Sequence, residues 1–193
     1  MIDQSDKKIL EAQLRECFGR VIYTHKTHSK MADRCAATLT RVKITQIVLS
    51  ALTASGTVGL VFTNAFTLKI ATALISLLTV AISSYMKGFD PGATAQKHRD
   101  AAADMWPIRE SYLSLLSDLA AGDTDLAQVR ERRDDLQEKL AAIYRGAPHT
   151  TGAAYVEAQE ALQKNEEYTF SDEEIDKFLP ADLRRANMSK SNP

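Results

Sequence analysis

The sequence has 193 residues, 24 Lys and Arg against 25 Asp and Glu, and a net charge of −1. This length excludes a large multidomain enzyme, and the charge balance gives no basis for nucleic-acid binding. Charge is unevenly spread, because 25 uncharged residues (44–68) precede Lys69 and 17 more (70–86) follow it. Lys and Arg lead by 9 to 5 in residues 1–43, whereas Asp and Glu lead by 17 to 10 in residues 110–193. The basic arm and the acidic tail can therefore meet in the fold.

A heptad pattern predicts one long helix from about Ser5 to Val42. One series contains Leu14, Val21, His28, Cys35 and Val42, and the interleaved series contains Phe18, His25, Ala32 and Leu39. Apolar residues at these a and d positions indicate a helix that packs on a partner, either the tail or another copy of the chain. The two histidines lack a third ligand within reach, so we interpret them as polar layers in the seam and predict no metal site.

Two uncharged runs predict a transmembrane hairpin. The first, Ile44 to Phe62, approaches the roughly 20 residues that cross a bilayer as a helix. Thr63 and Asn64 are expected to turn the chain, and Phe66 to Met86 supplies the return run. Basic residues flank the outer ends of both runs, whereas the turn has only Lys69. The positive-inside rule then predicts that both termini are cytoplasmic.

Further helices are predicted after the hairpin. A pattern from about Thr94 to Ala121 contains Pro107, which either kinks the helix or starts a new one. Gly122 and Asp123 are expected to end this helix, and Thr124 or Asp125 to cap the next one. A further helix is predicted over 153–166. Ser171 and Glu174 then form a capping box for a short helix that Pro180 ends. The predicted all-α fold divides into an N-terminal heptad helix (1–43), a two-helix transmembrane hairpin (44–86, with spans of about 44–63 and 66–86), a C-terminal cytoplasmic helical region (87–187) and a disordered tail (188–193).

Polar residues inside the membrane runs follow one face of each helix. They recur at steps of four, three and four: Gln46, Ser50, Thr53 and Thr57, then Thr72, Ser76, Thr79 and Ser83. Such groups gain nothing from lipid, so the stripes should face other helices or water. Two interpretations stay open: the stripes line a pore formed by several copies, or they join packed helices. A second face, of small residues, favours close packing and comprises Ala51, Ser55 and Gly59.

A basic approach to the membrane is formed by Lys26, Lys30, Arg34, Arg41 and Lys43. Anionic lipid headgroups are its default partner, and a cytoplasmic phosphate-bearing ligand is the alternative. The sequence shows no glycine-rich phosphate loop, nucleophile elbow or metal-ligand signature. We therefore predict that the protein is not an enzyme and has no catalytic residue, cofactor or metal.

Short motifs flank the two predicted spans. Before them come Tyr23-Thr-His-Lys-Thr-His28 and Met31-Ala-Asp33; after them come Phe89-Asp-Pro91, His98-Arg99, Trp106, Ile108-Arg109 and Tyr112. The tail adds Tyr144, Ala147-Pro148-His149-Thr150, Tyr155, Phe178-Leu-Pro180 and Leu183-Arg184. In this arrangement nearly the whole chain resembles the SLATT family of bacterial conflict-system proteins.

The resemblance implies a two-transmembrane effector, encoded beside nucleotide-second-messenger synthases, nucleotide-sensing domains or defence reverse transcriptases. We therefore expect a homo-oligomeric, pore-forming effector of bacterial antiviral defence in the inner membrane, which acts by abortive infection. The alternative is a membrane-anchored helical scaffold that recruits or restrains a partner defence enzyme. Besides the lipid bilayer, a nucleotide second messenger or that enzyme is the expected partner. The candidate contact residues are His25, His28, His98, Arg99, Trp106 and Arg109.

Overall fold

Six α-helices account for most of the chain in a computed structural model, which describes residues 4–122 and 124–185. In chain order they are α1 (Gln4–Phe62), α2 (Phe66–Gly88), α3 (Pro91–Ala121), α4 (Leu126–Gly146), α5 (Gly152–Gln163) and α6 (Asp172–Phe178). A 3₁₀ turn, Ala181–Leu183, follows α6. The described ranges contain no strand, and the predicted all-α class with an apolar helical hairpin is confirmed.

The N-terminal arm and the first apolar run belong to one uninterrupted helix, α1, of 59 residues. The sequence explains this continuity, because neither glycine nor proline occurs between Gly19 and Gly56. At 1.5 Å per residue, α1 is about 88 Å long. It therefore passes from the packed bundle into the apolar hairpin with no break where the predicted arm meets the predicted span.

Three residues, Thr63, Asn64 and Ala65, join α1 to α2 in the hairpin. The Thr63 hydroxyl oxygen accepts a hydrogen bond from Ala65 N at 3.1 Å, and the Lys69 ammonium binds the Asn64 side-chain oxygen. Each side of the hairpin has an apolar stretch of 18 residues, none of which is buried. A core helix of a water-soluble protein buries such a stretch, so this exposure favours a membrane protein.

Helix α3 begins at Pro91, earlier than the predicted start near Thr94, because Asp90 caps it. The Asp90 carboxylate accepts hydrogen bonds from the backbone N–H groups of the next turn at 2.9 and 3.0 Å, and Pro91 supplies a preset backbone angle. Of the two alternatives predicted for Pro107, the start of a new helix is wrong, since α3 continues through this residue. Buried neighbours on both sides of Pro107 pack on α1 and hold the helix in place. Gly122, with φ of 85°, ends α3.

The core lies where the first half of α1 packs against α3, α4 and α5. The heptad residues Leu14, Val21 and Ala32 are buried as predicted, whereas the last three positions of the pattern are half-buried: Cys35, Leu39 and Val42. Additional buried positions on α1 are Leu10, Cys17, Lys26 and Thr27. They fall outside the two heptad series because three helices, rather than one, surround α1. The predicted partner of the arm is thus the tail of the same chain.

The tail helices follow the predicted boundary signals in part. Asp125, not Thr124, caps α4, since its carboxylate accepts a hydrogen bond from Ala127 N. Helix α5 ends before the predicted residue 166, because Glu166 adopts a φ of 49° that a helix does not allow. The capping box of Ser171 and Glu174 is confirmed, and α6 ends shortly before Pro180. The predictions for Asp123 and for residues 188–193 lie outside the described residues.

Candidate functional site

Two histidines from neighbouring helices form a buried contact. His28 of α1 and His98 of α3 are 3% and 1% exposed, and their Nδ1 atoms are 2.9 Å apart. One Nδ1–H therefore donates a hydrogen bond to the other Nδ1, which requires at least one neutral ring. This contact joins α1 to α3 and brings together two of the predicted contact residues.

An aromatic and cationic cluster lies one turn earlier on α1. The His25 ring is centred 5.5 Å from Trp106, and its Nδ1 is 3.2 Å from the Tyr168 hydroxyl. The guanidinium of Arg109 lies 4.5 Å from the Trp106 ring centre and 4.9 Å from that of Tyr168, which is cation–π distance. Although Arg109 is only 9% exposed, its Nε has no hydrogen-bond partner in the part of the chain that the structure describes.

The environment of the α1 histidines keeps both rings neutral near pH 7. Burial, followed by the charges of Arg109, Lys26 and His28, lowers the pKa of His25 to about 4. Burial and the neighbouring His98 lower the pKa of His28 to about 4, and burial also lowers the pKa of His98. The imidazoles therefore act as neutral packing and hydrogen-bonding groups beside permanent cations.

The basic arm meets the acidic tail, as the charge distribution predicts. Lys26 and Lys30 both pair with Glu167, the second at 3.3 Å, and Arg34 pairs with Glu157 at 2.6 Å. The hydrogen bond from Lys26 is the main cause that lowers the pKa of Glu167. Three of the five basic residues of the arm thus bind carboxylates of the same chain, and the two nearest the membrane run are exposed.

The tail contributes two site residues that the sequence analysis misses, Glu167 and Tyr168. They lie between α5 and α6, where no periodicity or motif marks them. Conversely, Arg99 is exposed, and no described contact joins it to either cluster. Within the described residues, no group of three or more His, Cys, Asp or Glu side chains is arranged to hold a metal ion.

The polar stripes of the hairpin straddle the seam between α1 and α2. The half-buried members are Gln46, Thr53, Thr72, Ser76 and Thr79, and the exposed members are Ser50, Thr57 and Ser83. One contact crosses the seam, from Gln46 Nε2 to Ser83 Oγ at 3.2 Å. Four of the hydroxyls donate to a carbonyl one turn earlier in their own helix, at 2.8 to 2.9 Å: Thr53, Thr57, Thr79 and Ser83.

Glycine allows α1 and α2 to approach closely in the seam. A Cβ added to Gly56 would overlap the Thr72 hydroxyl, and one added to Gly59 would lie 3.3 Å from Leu68. Of the predicted face of small residues, only Gly59 lies in this seam, because Ala51 and Ser55 are exposed. Close packing therefore depends on the pair of glycines.

A packed helical bundle with an exposed apolar hairpin defines an all-α membrane protein with two candidate spans. The chain belongs to the SMODS and SLOG-associating 2TM effector domain family 4, whose profile matches residues 10–174. The resemblance to the SLATT family is thereby confirmed. Membership implies a membrane effector of conflict systems, in a domain family that is not a known enzyme family. No curated protein and no solved structure matches the chain.

Proposed function

We propose that the chain is an oligomeric effector of antiviral defence, which opens a gated pore in the bacterial inner membrane and stops the infected cell. The observation that carries this proposal is the row of exposed hydroxyls on the apolar hairpin: Ser50, Thr57 and Ser83. Ser83 accepts a hydrogen bond from Gln46 of the other helix, but lipid offers Ser50 and Thr57 no partner outside the hairpin, whereas a water-filled path between copies does. The row therefore lines the path in the assembled state.

The arrangement of the bundle supports a cytoplasmic location for both termini. The first half of α1 packs against α3, α4 and α5, which supports the same side of the membrane for the chain before and after the hairpin. Exposed Arg41, Lys43 and Lys87 lie at that end of the hairpin. Basic flanks favour the cytoplasmic side.

Gating requires two arrangements of the helices, because a permanently open pore would kill its own cell. A signal shifts such an equilibrium only by its difference in affinity for the two states. The contacts of His25 and His28 with α3 join the bundle to the helix that enters the membrane. A nucleotide second messenger or a partner defence enzyme acts at this region in our proposal.

A membrane-anchored scaffold is the second candidate, and the hydrogen bonds of the stripes favour it. Four stripe hydroxyls already bond within their own helix, and five of the eight stripe residues are half-buried in the seam. Helix packing thus accounts for much of the polarity without a pore. In this case the bundle recruits or restrains a partner enzyme, and the hairpin only anchors it.

The double substitution Ser50→Leu with Thr57→Leu distinguishes the two candidates. Both side chains are exposed, so the change leaves the hairpin seam intact, unlike substitutions at half-buried Ser76 and Thr79. Membrane potential and dye entry are measured during phage infection of cells that carry the chain with its neighbouring genes. A pore predicts that the wild type depolarises the membrane and that the double variant does not.

A matched control is Ser55→Leu with Ser84→Leu, which places the same side chains on exposed positions outside the stripes. This control should depolarise the membrane like the wild type, at equal abundance in the membrane fraction. If the stripe variant protects the culture and depolarises the membrane as the wild type does, Ser50 and Thr57 do not line the path and the observation that carries the pore is removed. Protection by the wild type without any depolarisation favours the scaffold.

A further inference from the structure

Residues 164–170 form a strap between α5 and α6 that crosses α1 and α3. The backbone turns at Glu166, whose φ of 49° lies in the left-handed region that non-glycine residues seldom adopt. After this turn, Glu167 N donates to the Ala161 carbonyl at 3.1 Å, and Thr169 N donates to the Glu166 carbonyl at 2.8 Å. These bonds present Glu167 and Tyr168 side by side to the bundle.

The carboxylate of Glu167 occupies an anion-binding position between two lysines. One oxygen pairs with Lys26 and the other with Lys30, which lies one helical turn further along α1. The Lys26 side chain is 9% exposed, whereas that of Glu167 is 34% exposed. Lys26 is thus built into the bundle, Lys30, whose side chain is 24% exposed, lies at its edge, and the carboxylate comes from the surface.

The Tyr168 ring occupies an aromatic and cationic position beside this carboxylate. Its centre lies 4.6 Å from the Lys26 ammonium and 4.9 Å from the Arg109 guanidinium, with the rings of His25 and Trp106 at 5.6 and 6.2 Å. Buried Arg109 has an Nε without a hydrogen-bond partner in the described chain. The α1 and α3 side chains that face the strap therefore retain a donor that the strap does not use.

Adjacent Glu167 and Tyr168 present an anion and a stacking ring from one short segment. We propose that they are an internal substitute for a nucleotide, and that the platform of His25, Lys26, Lys30, Trp106 and Arg109 binds a nucleotide when the strap leaves. The base stacks on Trp106 and Arg109, and the phosphates replace the Glu167 carboxylate. This inference rests on the proposed function only where it makes the nucleotide the signal that opens the pore. Binding of the nucleotide does not itself depend on a pore.

The depth of the platform favours a free nucleotide over a lipid headgroup. Lys30 precedes the first membrane residue, Ile44, by 14 positions, which is about 21 Å along a continuous helix. A headgroup at the membrane surface does not span that distance, and it has no ring to stack on Trp106. Departure of the strap is feasible without loss of the bundle, because α6 makes little contact with the other described helices.

The test measures binding of ATP, GTP, CTP and UTP to the full chain in detergent micelles by calorimetry. Because the strap competes with the ligand, Glu167→Gln with Tyr168→Ala should lower the Kd of the preferred nucleotide by about tenfold or more. Lys26→Met, added to that variant, should abolish the gain. The matched control is Arg34→Met, which removes an arm cation paired elsewhere, with Glu157, and should leave the Kd unchanged.

Inorganic tripolyphosphate and vesicles that contain phosphatidylglycerol test the alternative sources of phosphate. Weaker binding of both than of the preferred nucleotide supports the site. Tripolyphosphate binding as tightly as the nucleotide, equal Kd values for the wild type and the strap variant, or no nucleotide binding by the strap variant would each overturn the inference. Competition with the strap in a protein that never depolarises cells would instead refute the pore alone.

Discussion

Acidification from about pH 7.5 to about pH 5 should weaken the packing of α1 against α3. The folded pKa values of His25 and His28 are about 4, against an ordinary value of 6.5. Between these values the unfolded chain binds protons that the folded chain excludes, so stability falls as pH falls. The contribution is complete above pH 6.5 and is lost progressively towards pH 4.

The expected loss follows from the shift. At pH 5 an unfolded histidine is almost fully protonated and a folded one is mostly neutral, which corresponds to about 2 kcal/mol for each residue. The groups that face the pair do not reverse this sign: Lys26 and Arg109 are cations that oppose protonation of His25, and His98 opposes that of His28. The pKa of Glu167 is lowered below 4.5, so its ion pairs persist through this pH range.

Urea unfolding in detergent micelles, followed by Trp106 fluorescence, measures the effect. Trp106 is the only tryptophan and lies beside His25. His28→Gln keeps a hydrogen-bonding group without a titrating ring and should remove roughly half of the pH dependence that the two α1 histidines cause. A free energy of unfolding that stays constant between the two pH values would refute the reasoning.

Two further predictions concern the hairpin and its exit. Gly56→Ala should lower the free energy of unfolding by about 1–3 kcal/mol, because the added methyl group overlaps Thr72. Gly19→Ala, whose methyl group meets no atom within 4 Å, should raise it by about 0.5–1 kcal/mol. Thermal unfolding followed by circular dichroism compares the two variants, and equal changes in Tm would contradict the close approach of α1 and α2. Asp90→Ala should lower the free energy of unfolding by about 0.5–2 kcal/mol, because it removes the cap of α3, and should speed amide exchange in the first turn of α3. Asp90→Asn should preserve the stability and the slow exchange. Unchanged exchange in the alanine variant would exclude the capping role.

The sequence is sufficient to predict the hairpin and several caps because these features are local. Long uncharged runs have few alternatives to a membrane, and the capping box of Ser171 and Glu174 depends on residues three positions apart. The predicted start of α3 near Thr94 is too late, because proline is common after a helix as well as at its first position, and only the side chain of Asp90 makes Pro91 a helix start. A single capping contact thus determines where α3 begins.

The site is harder to predict because its parts are distant in sequence. Lys26 and Glu167 are 141 residues apart, and no local pattern indicates which tail carboxylate meets which arm cation. The polar stripes raise a related problem: their steps define a face, but only the rotation of each helix determines that Ser50 is exposed while Thr53 lies in the seam. The packing of α1 against α2 determines the rotation of each helix about its own axis.

Because α1 is unbroken, one continuous helix connects the bundle to the turn of the hairpin. From His25 to Phe62 the helix spans 37 residues, or about 56 Å. A tilt of about 5° about the histidine contacts would therefore move the hairpin turn by about 5 Å, the width of half a helix. Displacements too small to disturb the packing of the bundle would thus be large at the far side of the bilayer, where the lever is longest.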